Sequence, residues 1–139
     1  MTTILTQGDV PFSGNVTGTE QGSLKGGMRE GTWVTYYDNG QLYNKRSYKS
    51  DVAEGIAISY HSNGKLKTRV VFNNGKQEGP WEGYSDKGHL ETKIETKNGE
   101  LYYETYYKNG QLKTKDVSGK DMRRRISEYY TEDGQKYEY

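Results

Sequence analysis

Tyr36-Tyr37-Asp38-Asn39-Gly40-Gln41-Leu42 recurs along the chain, and that recurrence decides the fold. Twenty-four residues on stands Tyr60-His61-Ser62-Asn63-Gly64-Lys65-Leu66, and after 24 more Tyr84-Ser85-Asp86-Lys87-Gly88-His89-Leu90. A step of 22 leads to Tyr106-Tyr107-Lys108-Asn109-Gly110-Gln111-Leu112, and a last step of 24 to Tyr130-Thr131-Glu132-Asp133-Gly134-Gln135-Lys136. Glycine is frequent enough to align by chance. Four of the seven leucines and five tyrosines in one register are not.

Two more phases share the period. Asn73-Asn74-Gly75-Lys76 and Lys97-Asn98-Gly99-Glu100 are 24 apart, with Lys49-Ser50-Asp51-Val52 as a degenerate predecessor. Gly31-Thr32-Trp33, Gly55-Ile56-Ala57 and Gly79-Pro80-Trp81 form the third. Asn-Gly between β-prone runs signals a hairpin, because both residues tolerate positive φ. A two-residue loop at Asn39-Gly40 would oppose Tyr37 to Leu42. A three-residue loop, Asp38-Asn39-Gly40, with glycine in a left-handed bulge, opposes Tyr36 to Leu42 instead. The second is preferred, since Tyr36 and Leu42 are the positions that recur. The pairs Tyr36/Leu42, Tyr60/Leu66, Tyr84/Leu90 and Tyr106/Leu112, with Tyr130, then form a seam along one face.

The expectation is an all-β protein: an elongated, single-layer antiparallel meander of about 10–12 strands, built from hairpin repeats of about 24 residues. A flexible segment, 1–10, precedes one repeat domain, 11–139, with units starting near 11, 31, 55, 79, 101 and 123. The first unit is shortened, its return strand placed at about Ser23–Gly27, and Asp121 to Tyr130 reads as strand.

Composition fits a thin sheet. Even with its 18 glycines counted, apolar residues are about a third of the chain, against about 45–50% in an average domain. Low aliphatic content alone suggests disorder, but a net charge of +1 and fourteen tyrosines argue against it. No stretch approaches the roughly 20 apolar residues of a spanning helix. Residues Met1 to Gly8 lack the pattern of a secretion signal, so a cytoplasmic location is expected. The absence of cysteine removes disulfides and thiolate chemistry. Charge is balanced in both halves, unlike the positive field of a nucleic-acid binder.

These units resemble MORN repeats, the "membrane occupation and recognition nexus", in their form Gly-x-Trp-x-x-Tyr-x-x-x-Gly-x-Leu followed by Tyr/Phe-x-Asn-Gly-Lys-x-x-Gly. The spacing is nearest to the bacterial variant. Gly55–Gly79 with Pro80-Trp81 matches most fully; Ala57 replaces tryptophan, and the unit after Gly99 has lost Gly-x-Trp and two residues. The resemblance implies an elongated, twisted single-layer sheet. It also implies either an antitoxin or immunity protein that neutralises a cognate protein toxin, or a scaffold that meets membrane phospholipids. Lacking a basic patch or amphipathic helix, the chain is expected not to bind membranes.

No catalytic, metal or cofactor site is expected. His61 and His89 stand at different repeat phases, read as surface positions on strands, and no carboxylate keeps a ligand spacing from either. Asp38, Asp86, Glu132 and Asp133 are turn residues. Gly22-Ser23-Leu24-Lys25-Gly26-Gly27 lacks the ending of a phosphate loop and reads as a hairpin. Arg123, Arg124 and Arg125 alternate between two faces. For partner binding the candidates are Tyr37, His61, Tyr102, Tyr103 and Tyr107, which fall outside the seam, together with those arginines; exposed aromatics supply contact area at low entropic cost.

Overall fold

The structure is a computed structural model that describes residues 6–7, 10–120, 123 and 125–138. It divides into two compact units, Met1–Glu78 and Gly79–Tyr139. Every helix or strand among the described residues is a strand. In the first unit these are β1 (Thr6–Gln7), β2 (Val10–Pro11), β3 (Gly14–Val16), β4 (Glu20–Lys25), β5 (Met28–Tyr36), β6 (Leu42–Lys49), β7 (Val52–Ala53), β8 (Gly55–Tyr60), β9 (Leu66–Asn73) and β10 (Lys76–Gln77). The second holds β11 (Trp81–Tyr84), β12 (Leu90–Lys97), β13 (Glu100–Tyr106), β14 (Leu112–Ser118) and β15 (Arg125–Tyr129).

Each unit is an antiparallel meander. The first runs β3-β4-β5-β6-β8-β9, with β7 beside β6 and β10 beside β9; the second runs β11 to β15 in chain order. The strand tally exceeds the expected 10–12 partly because one run is broken into β7 and β8 at Glu54. Thr6–Gln7 and Val10–Pro11 pair with each other, joining the segment 1–10 expected to be flexible to the first residue of the repeat domain.

The seam pairs form in the expected register: Tyr36↔Leu42, Tyr60↔Leu66, Tyr84↔Leu90 and Tyr106↔Leu112. In the first, Gly40 N–H donates to Tyr37 O at 2.9 Å and Tyr37 N–H to Gln41 O at 2.8 Å. Gly40 lies at φ +84°, the left-handed conformation that closes a three-residue loop. What the sequence did not show is a register shift beside every seam pair, as between Thr35↔Asn44 and Tyr36↔Leu42. The extra residue is Tyr43 here, and Lys67, Glu91 and Lys113 in the other hairpins.

At the opposite end, two-residue turns fall at Gly26-Gly27, Ser50-Asp51, Asn74-Gly75 and Asn98-Gly99, all with positive φ. They are 24 residues apart. Gly26-Gly27 is therefore a turn, and the return strand placed at Ser23–Gly27 is instead β4, Glu20–Lys25. Two adjacent glycines suit a turn that needs positive φ twice better than a strand end.

The seam is only half-buried. Leu24 and Trp33, each 3% exposed, and Ala57 are the buried apolar side chains among the described residues. Strand alternation puts Trp33 on the face opposite Tyr36. Between the pairs Ser23↔Glu30 and Gln21↔Val34, the three residues Gly31-Thr32-Trp33 face the single Gly22. The bulge lowers the indole onto Gly22, where any Cβ would come within 2.2 Å of a ring carbon. Trp33 Nε1 donates to Ser23 O at 3.2 Å. The unit that lost two residues shows the converse: β12 and β13 pair without a shift from Lys97↔Glu100 to Thr92↔Thr105. The deleted residues are the bulge.

Polar ties join consecutive hairpins. Asp51 Oδ1 accepts from Arg29 N–H at 2.8 Å and from Arg29 Nε at 2.9 Å. The Arg29 guanidinium lies 4.0 Å from the Tyr48 ring centroid. The Arg29 backbone amide, then its side chain, holds the Asp51 carboxyl below its ordinary range. Glu30 accepts from Ser50 N–H and Glu54 from Asn74 N–H, each at 2.7 Å. Glu30-Gly31 and Glu54-Gly55 thus carry a carboxylate that caps the next turn.

Gly22→Ala should lower unfolding free energy by about 1–3 kcal/mol through overpacking against Trp33. In a Trp33→Leu background the same change should cost under about 0.5 kcal/mol, as coupled neighbours require. Urea unfolding of the four chains measures both values.

Candidate functional site

The second unit carries two surfaces able to meet a partner. One is the face shared by Trp81 and Tyr103. Counting back from the seam, Tyr103 stands where Trp33, Ala57 and Trp81 stand in other repeats, a phase its residue type hides. Trp33 sinks over a glycine. Tyr103 sits in an unbulged ladder between Ile94 and Asp116 and remains 40% exposed. A shallow hollow beside it is lined by Leu101, Tyr103, Asp116, Ser118 and Arg125. Leu101 and Tyr129, on the same face, are also exposed. Asp116 binds Arg125 Nη2 at 3.2 Å and also accepts from the Ser127 hydroxyl. The hollow therefore joins apolar area to a fixed ion pair.

The second surface is a cleft of about 700 Å³ along the turn edge. Ser85, His89, Leu90, Tyr106, Tyr107 and Asn109 are among its walls, and charges of both signs rim it. Tyr107 crosses from its own hairpin to the next, its phenol donating to Tyr130 O at 2.9 Å. Lys113 Nζ lies 5.5 Å from that ring. Asn109 Nδ2 makes a parallel link to Glu132 O at 2.8 Å. In the first unit Tyr37 does the same, donating to Tyr60 O at 2.7 Å, with its ring edge-on to Tyr43. Tyr37 and Tyr107 thus share one repeat position and one structural task.

The remaining candidates are dispersed. His61 is half-buried and His89 exposed, and both begin or end hairpin loops rather than lying on strands. A three-residue loop with its flanking pair takes them out of the ladder. Tyr102 points to the face opposite Tyr103, donates to Glu100 at 3.1 Å and lies under Lys97 and Lys115. Arg123 is exposed, and Arg124 lies outside the described residues. The described residues contain no group of three or more His, Cys, Asp or Glu placed to hold a metal.

A charge ladder on the seam face was not foreseen. The register opposes Glu82 to Lys93, Lys93 to Glu104, Glu104 to Lys115 and Lys115 to Glu128. Such pairs contribute about 0.2–1 kcal/mol each. The Tyr84, Tyr106 and Tyr130 phenols donate to Glu82, Glu104 and Glu128 two residues earlier. Burial, then the Glu104 bond, pushes the Tyr106 phenol well up. Glu-x-Tyr at 82/84, 104/106 and 128/130 is the sequence signal, readable only once the strands are in register.

The family model described as MORN repeat variant matches residues 29–50, 53–74, 77–98 and 99–117, more than half of the chain. The fourth match covers the unit without the bulge. Comparison with curated proteins returns no match.

Tyr107→Phe, which deletes one phenol bond, should cost about 0.5–1.5 kcal/mol of stability. It should also raise hydrogen exchange at Tyr130 and Thr131. Tyr103→Phe should leave both unchanged, since its side chain is 40% exposed and makes no such link to the next hairpin; urea unfolding and amide exchange by NMR provide the check.

Proposed function

We propose that this chain, which belongs to the MORN repeat variant family, is a non-catalytic binding protein that neutralises a cognate protein toxin by covering its active surface. The repeats themselves suit a scaffold or binding role: hairpins added side by side make a broad surface whose side chains vary on a constant frame. Neutralisation by coverage needs only area and affinity. A standard interface takes about 800 Å² per partner and concentrates its energy in a few aromatic and arginine side chains.

The observation that carries this reading is the exposed face of the second unit. Leu101, Tyr103 and Tyr129 are each about two-fifths exposed there. Arg125 stands beside them, held by Asp116. Large side chains with fixed polar neighbours lose little freedom on binding. A cytoplasmic location accords with this role.

No helix among the described residues is long and apolar enough to cross a membrane. The charge ladder of the seam face alternates in sign, which dilutes attraction to an anionic lipid surface.

The immobilised chain should retain, from the cells that make it, one protein that arrests growth when expressed alone and is tolerated beside this chain. Tyr103→Ala should weaken that complex at least about tenfold, the loss typical of an aromatic anchor. Tyr107 is left intact because its phenol supports Tyr130. Flotation of the chain with anionic vesicles, and no such protein, would contradict the proposal.

A further inference from the structure

One repeat position decides how each hairpin end meets the next. It is Tyr37, His61, Ser85, Tyr107 and Thr131 in successive units. Where it is tyrosine, the phenol reaches the carbonyl of the next seam tyrosine, Tyr37 to Tyr60 O at 2.7 Å and Tyr107 to Tyr130 O at 2.9 Å. Ser85 is too short to span that distance. Its hydroxyl stays within its own turn, accepting from His89 N–H at 3.1 Å.

The adjoining contact changes at the same junction. Gln111 lies against Gly134, 3.0 Å from where a Cβ would sit, and Gln41 against Gly64 at 3.5 Å. His89 holds that position in the middle hairpin, yet the space over Gly110 is open to 4 Å. The cleft of about 700 Å³ lies at this junction, walled by Ser85, Leu90, Tyr106 and Tyr107. Its volume is within the range of about 300–1,000 Å³ usual for ligand pockets.

We propose that this cleft is a socket for a tyrosine side chain of a partner protein, whose phenol donates to Tyr106 O as Tyr37 and Tyr107 donate within the chain. The occupant follows from the repeat: the same backbone frame takes a phenol at the Tyr37 and Tyr107 junctions and has room for one at the Ser85 junction. Leu90 and the rings of Tyr106 and Tyr107 cover the aromatic body. The mixed rim of Asp86, Lys87, Lys108 and Glu132 suits a polypeptide with charges of both signs better than a bare aromatic metabolite. The inference deepens the reading of this chain as a protein-binding one and does not require that the partner be a toxin.

N-acetyl-tyrosinamide titrated into the intact chain should shift the amide NMR signals of Ser85, Tyr107, Asn109 and Gly110 in the millimolar range. N-acetyl-phenylalaninamide should bind at least about fivefold more weakly, because it lacks the hydroxyl. Ser85→Tyr should raise the melting temperature and abolish both titrations; Ser85→Phe should abolish them with a smaller gain. Equal binding of the two amides, no shift in the cleft, or a lower melting temperature for Ser85→Tyr would overturn the socket. A partner captured equally well by wild type and Ser85→Tyr would also overturn it while leaving the binding reading intact. Tyrosinamide binding without any protein partner would keep the aromatic specificity, but would overturn both the protein-partner assignment and that reading.

Discussion

A one-layer sheet has nothing stacked on it, so each hairpin is held mainly by the hairpin beside it. That constraint governs the rest of this structure. A compact domain of this length buries a shared core; here the buried apolar side chains among the described residues are Leu24, Trp33 and Ala57. An isolated hairpin is marginal in water. Stability must therefore come from short-range ties repeated at each step, as in other arrays whose units touch only their neighbours. Carboxylates at Glu30 and Glu54 hold the two-residue turns, Asp51 holds Arg29, and phenols at Tyr37 and Tyr107 hold the three-residue turns.

The same constraint ties shape to function. Side chains that do not serve a tie remain on one of two open faces, where they can vary without loss of the frame. The unit lacking the Gly-x-Trp bulge shows how such a surface arises. Without the bulge, the aromatic side chain at the tryptophan position, Tyr103, pairs with Ile94 in a regular ladder and stays 40% exposed, whereas Trp33 lies on Gly22. The unit without the bulge thus carries an exposed aromatic side chain beside Arg125 and Leu101.

Much of the fold was legible in the sequence, because its strongest signals are local. Loop length and the left-handed glycine set the partner of Tyr36, and the register followed for every seam pair. The Gly31-Thr32-Trp33 bulge was not legible, since it is defined only by the register across the ladder, and the seating of Trp33 depends on Gly22 there. The Glu-x-Tyr pairs and the alternating charges required the register first. At the candidate sites the limit was identity: Tyr, His, Ser, Tyr and Thr at one repeat position conceal a common role. Tyr37 and Tyr107 therefore looked unrelated until their phenols were seen reaching equivalent carbonyls. Tyr103 looked unrelated to Trp33 for the same reason, two deleted residues having moved it out of step.

Hydrogen exchange at the turn glycines tests most directly whether neighbour ties hold this chain together. Gly40, Gly88 and Gly110 each donate to the carbonyl of the residue just before their loop, at 2.9, 3.0 and 2.9 Å, so the bonds themselves are equivalent. They differ in what anchors the turn, a phenol from Tyr37 or Tyr107 in two cases and Ser85 in the third. The account predicts that Gly88, corrected for intrinsic rate, exchanges about tenfold faster than the other two, the effect of one hydrogen bond of about 1.4 kcal/mol. Equal protection at all three glycines would contradict it.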